Sequence, residues 1–325
     1  MTKKQRVLAA LEGREVDRVP VSFWRHIQND AGTGPALGRE SAEKHLSFFR
    51  ATDLDFIKIM QDGFTAPFDL ESVKTVQDLR AVRPVGRKHP FVADYVERAK
   101  WVNDLLAEEV YTYCNIFSPY MLLRKLGDER LGALLQEDES AFTAALQAVG
   151  ESLRLICELL LKECGCLGLF LCFQGANRFS QEDYARMIAP SDLAVLEEAN
   201  QHSNYNILHC CAWDGGPNHL AVWQNYPARA VNWAIHTDGY SLAEGRTFFG
   251  ERTVMGGFDN RVGKLLFSGS KEEIQAETRQ LIHAYTDKTG SARGLILGAD
   301  CSLLPHFELE RLNWVTQAVQ EYSQS

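Results

Sequence analysis

The stretch YNILHCCAWDGG, residues 205–216, begins as an apolar run typical of a β-strand and ends in a Gly-Gly turn. Alternate residues of an extended backbone share one face, so His209 and Cys211 are predicted to point the same way. Cys210 is predicted to point the opposite way. The stretch therefore predicts two metal ligands, one nitrogen and one sulfur, at the end of a strand.

Two such ligands do not hold a metal firmly, so a third soft ligand is expected from elsewhere in the chain. The best candidate is Cys301 in GLILGADCSLLP, residues 294–305, since it also follows an apolar run. One imidazole and two thiolates with an open position compose a catalytic zinc site rather than a closed structural one. The alternative is that cysteine serves as a small buried apolar residue. We expect that role for the cysteines upstream: Cys114, Cys157, Cys164, Cys166 and Cys172.

Short apolar runs alternate with helical patterns along the whole chain. Strands that alternate with helices make a parallel sheet, and eight is the number that closes a (β/α)8 TIM barrel. A doubly wound open sheet is the alternative, but no Gly-x-Gly-x-x-Gly follows the first run. We predict a single domain over residues 1–325, with strands at residues 18–24, 55–60, 110–117, 168–173, 205–211, 230–235, 253–258 and 294–297.

The clearest helical patterns lie at both ends of the chain and between the predicted strands. Residues 3–12 form an amphipathic pattern that Gly13 ends. Longer helices are predicted at residues 139–163, at residues 190–201 with Ser191 as the cap, and at residues 271–289 with Ser270 before the first turn.

Polar side chains follow nearly every predicted strand. Because the active site of such a barrel lies at the C-terminal ends of its strands, these side chains are predicted to share one site. Besides His209, Cys211 and Cys301, the residues at these ends are Arg25, His26, Asp62, Ser118, Gln174, His236 and Asp259.

Asp62, Arg25 and His26 are the candidates for catalysis. Asp62 could orient a cationic ligand, take up a proton or bind N–H groups, although Asp-Gly is also an ordinary turn sequence. Arg25 and His26 could bind a carboxylate or phosphate of a substrate, with Arg25 as the bidentate partner, or could lie on the surface.

Gln174, His236 and Asp259 are the candidates for substrate binding. His236 could also pair with Asp238 and orient a ligand, while a solvated loop is the simpler interpretation. Trp213 could form a wall against a flat ligand, although packing is the commoner role of tryptophan.

The composition excludes several classes of function. The 325 residues carry a net charge of −9, which argues against nucleic-acid or anionic-membrane binding, since both need a basic face. The N-terminal residues lack the apolar core and cleavage site of a signal peptide, and no apolar run approaches the roughly 20 residues that span a bilayer. We therefore expect a cytoplasmic protein with reduced cysteines.

Three segments resemble the uroporphyrinogen decarboxylase superfamily, and the resemblance runs nearly from end to end. RVLAALEGREVDRVPVSFW, residues 6–24, is similar to the opening of that family, and MGGFDN, residues 255–260, and GLILGADCSLLP are similar to its late strand motifs. The resemblance implies a (β/α)8 barrel and one of two chemistries.

True decarboxylases of the superfamily bind a porphyrinogen with two arginines after the first strand, an aspartate after the second and a histidine in the last. Here Arg25 is retained, a second arginine at that spacing is lacking, and Asp62 matches the aspartate. Ala299-Asp300-Cys301 stands where the family has Gly-His-Gly.

Corrinoid-dependent methyltransferases have His-x-Cys and a distant cysteine in the last strand, and His209, Cys211 and Cys301 match these ligands. Ala212-Trp213 follows the motif where glycine is usual.

The resemblance favours a zinc-dependent methyltransferase. Its Zn²⁺ would bind a small-molecule thiol, which would accept a methyl group from methylcobalamin or another methyl-corrinoid carried by a partner protein. The first alternative is a uroporphyrinogen-type decarboxylase with Asp62 on the pyrrole N–H groups, which the missing arginine and the negative charge disfavour. The second is a non-catalytic binding protein that keeps the barrel and the metal. The oligomeric state is left open.

Overall fold

The structure, a computed structural model, describes residues 1–27, 35–61, 70–213 and 215–324. Within these residues the chain forms one parallel sheet of seven strands, in which neighbours in sequence are neighbours in space. The strands are β1 Phe56–Ile59, β2 Tyr111–Phe117, β3 Gly168–Phe173, β4 Ile207–Cys210, β5 Ala230–Trp233, β6 Thr253–Phe258 and β7 Leu295–Ala299.

The parallel sheet predicted from the βα alternation is confirmed, and seven of the eight predicted strands are present. β3 and β6 begin and end at the predicted residues. The consecutive strand order of the sheet excludes the doubly wound alternative, whose strand order reverses at a switch point. All the C-terminal ends therefore lie at one edge of the sheet.

The first predicted strand, residues 18–24, is wrong as a strand. The segment instead forms an isolated parallel bridge between Val21 and Leu297. Pro20 has no N–H to donate, and the Val21 N–H donates to the Asp55 carboxylate at 2.8 Å. Pro20 and Val21 therefore donate no backbone hydrogen bond to a neighbouring strand. The segment is extended but does not form a regular β-strand.

This segment contacts both edge strands of the sheet. On one side the Ser22 N–H donates to the Leu297 carbonyl of β7 at 2.9 Å, and on the other the Ser22 hydroxyl donates to the Phe56 carbonyl of β1 at 2.9 Å. Gly298 permits the close approach to β7, because a Cβ there would lie 2.8 Å from the Ser22 carbonyl oxygen. The segment therefore lies between β7 and β1.

Helices follow most of the strands and cover the outer face of the sheet. None in the described ranges has the length and apolar character needed to cross a membrane. Short 3₁₀ turns lie at Leu70–Ser72, Arg124–Leu126, Ala176–Arg178 and Leu220–Trp223, and a π-helical turn at Tyr184–Ile188. The α-helices are α1 Lys3–Leu11, α2 Pro35–Arg50, α3 Val76–Arg80, α4 Pro90–Leu106, α5 Pro119–Leu123, α6 Asp128–Glu137, α7 Glu139–Glu163, α8 Gln181–Asp183, α9 Ala189–His202, α10 Ile235–Asp238, α11 Leu242–Phe248, α12 Leu265–Ser268, α13 Lys271–Thr289 and α14 Glu310–Tyr322.

Two of the predicted helices, α7 and α13, begin and end at the predicted residues. Ser270 caps α13 as predicted, in a capping box with Glu273. The predicted cap Ser191 is wrong, because it lies inside α9 and its hydroxyl donates to the Ile188 carbonyl at 2.9 Å. The chain is already helical before it reaches Ser191, since the π-helical turn leads into α9.

Two hydrophobic cores lie on opposite faces of the sheet. The larger core packs the outward residues of the strands, such as Leu208 and Cys210, against the surrounding helices. The smaller core lies inside the curl of the sheet, where Phe170 and Ile207 meet Val7 of α1. Helix α1 therefore covers the inner core at the N-terminal ends of the strands. The inner side of the sheet at the C-terminal ends of the strands is not covered by this helix.

Asp55 anchors the N-terminal segment to the sheet. Its carboxylate is fully buried and accepts hydrogen bonds from Arg6 at 2.6 Å, from Arg18 at 2.8 Å and from the backbone of Val21. The Asp-Arg-Val-Pro sequence at residues 17–20 is thereby explained: it supplies a buried arginine and a donor-free proline where the chain enters the sheet.

We predict that Asp55→Asn lowers the free energy of unfolding by about 3–5 kcal/mol, since the buried guanidinium of Arg18 loses its anion and that of Arg6 keeps only Asp17. Asp17→Asn is the matched control. Asp17 binds the same Arg6 from a more exposed position, 37% on its side chain, so its loss should cost about 1 kcal/mol or less. Urea denaturation measures both, and equal losses would contradict the assigned role of Asp55.

Candidate metal centre

Three predicted ligands converge at the C-terminal ends of β4 and β7. His209 lies in β4, Cys211 follows that strand directly, and Cys301 follows β7 by two residues. The Cys301 sulfur is 3.6 Å from His209 Nε2 and 3.8 Å from the Cys211 sulfur. All three side chains are buried.

These separations fit the dimensions of a zinc site. A tetrahedral zinc ion with bonds of about 2.3 Å to sulfur and 2.0–2.1 Å to nitrogen holds its donors roughly 3.8 Å apart between sulfurs and roughly 3.6 Å apart between sulfur and nitrogen. The two separations observed here are 3.8 Å and 3.6 Å. Cys301 therefore lies at zinc-ligand spacing from both His209 and Cys211.

Cys210 lies on the opposite face of β4. It is fully buried in the outer core between the sheet and the helices, whereas His209 contacts the inner core through the rings of Trp24 and Phe170. The alternation expected of an extended strand therefore separates the two adjacent cysteines. Cys210 can serve as an internal control for Cys211.

Cys172 is a third sulfur, and so a fourth potential donor, at the same place. Sequence analysis assigned it to packing, but the structure places its sulfur beside the predicted ligands. One ligand atom from each of Cys172, His209 and Cys211 lies within 4.8 Å of the other two. Cys172, Cys211 and Cys301 also form a small cluster of their own. We refer to Cys172, His209, Cys211 and Cys301 together as the Cys/His centre.

Asn232 fixes the orientation of the His209 ring. Its side-chain nitrogen donates to the carbonyls of Met255 at 2.9 Å and Ala299 at 3.1 Å, so its oxygen faces His209 Nδ1 at 2.5 Å. An amide oxygen only accepts, so Nδ1 carries the proton and Nε2 presents its lone pair toward Cys301. This is the tautomer that a metal ligand requires, held by a buried partner.

Two aromatic rings pack against the His209 imidazole on the side of the inner core. Trp24 lies edge-on to His209 with ring centroids 5.8 Å apart, and Phe170 lies 5.5 Å away. The Trp24 indole N–H donates to the Ser302 hydroxyl at 2.9 Å, which ties this wall to the segment that carries Cys301. Sequence analysis did not identify Trp24 as a site residue.

Two thiols of the Cys/His centre, those of Cys211 and Cys301, have raised pKa values. Hydrogen bonding with Cys172, together with burial, raises the pKa of Cys211 well above its ordinary value. The hydrogen bond with Cys211, followed by burial, raises the pKa of Cys301. A metal ion must displace these protons, so its binding should become tighter as the pH rises.

A second polar group lies at the ends of β5, β6 and β7. His236 Nδ1 and its backbone N–H are 2.9 Å and 3.0 Å from the carboxylate of Asp300, the residue before Cys301. This hydrogen bond raises the pKa of His236. Asp300, rather than the possible partner Asp238, thus pairs with His236, and Asp238 accepts hydrogen bonds from Asn218.

Asp259 is held by Arg261. Its carboxylate accepts hydrogen bonds from the Arg261 backbone and guanidinium at 2.6–3.0 Å. Burial alone would raise its pKa, but the arginine outweighs burial and lowers it, so Asp259 stays ionised. The predicted substrate-binding residues His236 and Asp259 are thus close enough to interact electrostatically.

The remaining candidates lie on other segments. Arg25 donates to the Pro305 carbonyl at 2.9 Å and lies over the ring of Phe48, 5.3 Å from its centroid. Burial lowers its pKa. The His26 ring contacts that of Trp213, which is 55% exposed.

Gln174 is buried one residue beyond β3, two positions after Cys172. Asp62 lies outside the described residues, so its predicted role stays a prediction.

We predict that Asn232→Leu weakens zinc binding by about 10–100-fold, because the acceptor that fixes the His209 tautomer is lost. Competition with a chromophoric chelator measures the affinity. Asn206→Leu is the matched control, since Asn206 is equally buried and hydrogen-bonded but serves Leu169 and Ser203 instead. A folded Asn232→Leu protein with unaltered zinc affinity would contradict this role.

Solved structures show the same fold in other proteins. A methyltransferase from Methanosarcina mazei superposes with a TM-score of 0.80 at 15% identity, over 99% of each chain. GH5_18 from Streptomyces cattleya in complex with GlcNAc superposes with a TM-score of 0.51 at 12% identity, over 94% of this chain and 81% of that one. At such identities the likeness shows the fold alone.

Sequence comparison identifies the family. No curated protein matches the chain at a significant level. The sequence profile described as Uroporphyrinogen decarboxylase (URO-D) matches residues 59–322, a span that includes every member of the Cys/His centre. The chain belongs to the uroporphyrinogen decarboxylase family.

Proposed function

We propose that the protein is a zinc-dependent methyltransferase that moves a methyl group from a methyl-corrinoid to a thiol. The observation that carries the proposal is the spacing of His209 Nε2 and the sulfurs of Cys211 and Cys301, which suits zinc. The fold shared with a Methanosarcina mazei protein that is named a methyltransferase supports it further. Members of the family are enzymes, and these three ligands are the ones that its methyltransferases would require.

His209, Cys211 and Cys301 would hold the zinc ion. A zinc ion bound there would lower the pKa of a coordinated substrate thiol and so supply a nucleophile at neutral pH. Asn232 accepts the hydrogen bond of His209 Nδ1 and so leaves Nε2 to face the zinc ion. The net change is balanced: the thiol loses its proton, a sulfur–carbon bond forms, and the cobalt–carbon bond of the donor breaks with its electron pair left on cobalt.

The side chains around the Cys/His centre suit a small thiol. Trp24 and Phe170 close the centre from the interior and keep water from the imidazole. Phe117 and Met121, both partly buried, pack against the cysteines and offer an apolar surface to an alkyl group. His236, whose raised pKa favours the cationic form, would bind an anionic part of the substrate together with Gln174.

The proposal also includes a closed barrel and roles in the reaction for the remaining predicted site residues. Residues 18–24 would complete a closed (β/α)8 barrel between β7 and β1, within one domain. Arg25, His26 and Asp62 would act at its mouth, and Asp259 would contribute through Arg261. The donor would be methylcobalamin or a similar corrinoid carried by a partner protein, and the exposed indole of Trp213 lies where a flat ligand could be contacted.

The test is methyl transfer by the zinc-loaded protein from free methylcobalamin to small thiols, including coenzyme M. We predict consumption of methylcobalamin, seen in its visible spectrum, and a methylated thiol, seen by mass spectrometry. Cys301→Ala should lower the rate by about 100-fold or more and reduce the zinc content from one per chain, because a ligand is lost.

Cys210→Ala is the matched control. It removes an equally buried neighbour that faces the outer core, so rate and zinc content should stay near those of the unaltered protein. Equal effects of both substitutions would contradict the ligand assignment. Release of carbon dioxide from a porphyrinogen, without methyl transfer, would support the decarboxylase alternative. Zinc binding with neither activity would support a non-catalytic binding protein.

A further inference from the structure

We propose that Cys172 is a fourth, displaceable ligand of the zinc site, so that the resting site binds its metal through one histidine and three cysteines. A thiol substrate would then enter by replacing the Cys172 sulfur. This inference rests on the zinc site of the proposed function and goes beyond it, since the family resemblance calls for only two of these cysteines.

The register of the sheet places Cys172 at the centre. In the parallel pair of β3 and β4, Cys172 lies directly opposite His209. Phe170, two residues earlier in β3, faces the inner core and contacts the His209 ring. Because alternate residues of a strand share a face, Cys172 points to the same side as Phe170 and His209.

The contacts of Cys172 differ from those of an ordinary buried cysteine. Cys157 of α7, for example, lies in the large outer core among helix side chains. Cys172 instead packs in the separate small cluster whose other buried members are Cys211 and Cys301. Its sulfur also lies within 4.8 Å of the Cys211 sulfur. Two of its buried neighbours are therefore predicted zinc ligands.

The distances place Cys172 close to two of the predicted ligands. Cys301 lies 3.6 Å and 3.8 Å from its two partners, the separations of a formed zinc site. One ligand atom of Cys172 lies within 4.8 Å of His209 and of Cys211. The resemblance assigns the other three donors as zinc ligands, so Cys172 is the one available to leave.

The ligand set has a consequence for the chemistry. Three cysteines and one histidine compose a closed zinc site, so a substrate thiol must replace one of them. If Cys172 leaves, its sulfur can accept the proton of the incoming thiol. One S–H bond breaks and one forms, and the net charge of the site is unchanged.

Cobalt substitution tests this proposal with a readout independent of activity. The charge-transfer absorbance of a Co²⁺-loaded site grows with the number of bound thiolates. We expect Cys172→Ala to lower this absorbance by about one third, since two thiolates remain of three. Addition of coenzyme M should restore it in the variant and leave it nearly unchanged in the unaltered protein, where one thiolate replaces another.

Cys157→Ala is the matched control and should keep the full absorbance. Cys172→Ser, which preserves the volume of the side chain, should behave like Cys172→Ala if the alanine variant folds poorly. X-ray absorption at the zinc edge needs no variant and should show three sulfur ligands and one nitrogen in the protein without substrate.

The outcomes separate this inference from the proposed function. If the unaltered protein binds neither zinc nor cobalt at the Cys/His centre, the proposed function fails, and this inference fails with it. If metal binds with two sulfur ligands, or if Cys172→Ala keeps the full absorbance, only the fourth ligand is overturned. A drop in absorbance that coenzyme M does not reverse would refute the displaceable role and leave Cys172 as a permanent ligand.

Discussion

The register of parallel strands decides which side chains can meet at the Cys/His centre. Each strand alternates its side chains between the inner and outer core, and each neighbouring pair aligns one inner position with another. Cys172 is thereby paired with His209, and His209 with Asn232, across three consecutive strands. A slip of one residue in β4 would turn His209 outward and bring Cys210 inward. The composition of the Cys/His centre therefore depends on the register of the strands, which contacts in other parts of the sheet stabilise.

That register is held mainly at the other end of the sheet. Helix α1 closes the N-terminal end with apolar side chains, and Asp55 binds the entering segment through two buried arginines. The same segment then runs along β7 and reaches the mouth at Arg25, whose backbone forms a bridge with Leu303. The loop that carries Cys301 is thus tied to the first residues of the chain. The contacts that stabilise the sheet and the Cys/His centre thus lie at opposite ends of one parallel sheet.

Much of this could be predicted from the sequence, because alternation is a local property. Periodicity located β3, β6, α7 and α13 to the residue, and it separated Cys211 from Cys210. The apolar run before Cys301 predicted a third ligand in another segment, and the structure places that cysteine beside His209. Each of these predictions needed only the pattern around the residue concerned.

What escaped prediction depends on contacts between segments. Cys172 looks like any cysteine in an apolar strand, and only the register with β4 sets it against His209. Asn232 is hidden in the same way within β5. The partner of His236 was also missed. Asp238 is close to His236 in sequence, but the carboxylate that His236 binds is that of Asp300, on a distant segment. The predicted first strand, residues 18–24, does not form because of a side-chain contact. The Asp55 carboxylate accepts the hydrogen bond of the Val21 N–H, which a regular strand would donate to a backbone carbonyl.

The central claim is that His209, Cys211 and Cys301 bind one zinc ion, and anomalous diffraction at the zinc absorption edge tests it most directly. Crystals grown with stoichiometric zinc should show one strong anomalous peak about 2.0–2.1 Å from His209 Nε2 and about 2.3 Å from the sulfurs of Cys211 and Cys301. A peak at any other place, or no peak with these side chains ordered, would contradict the account.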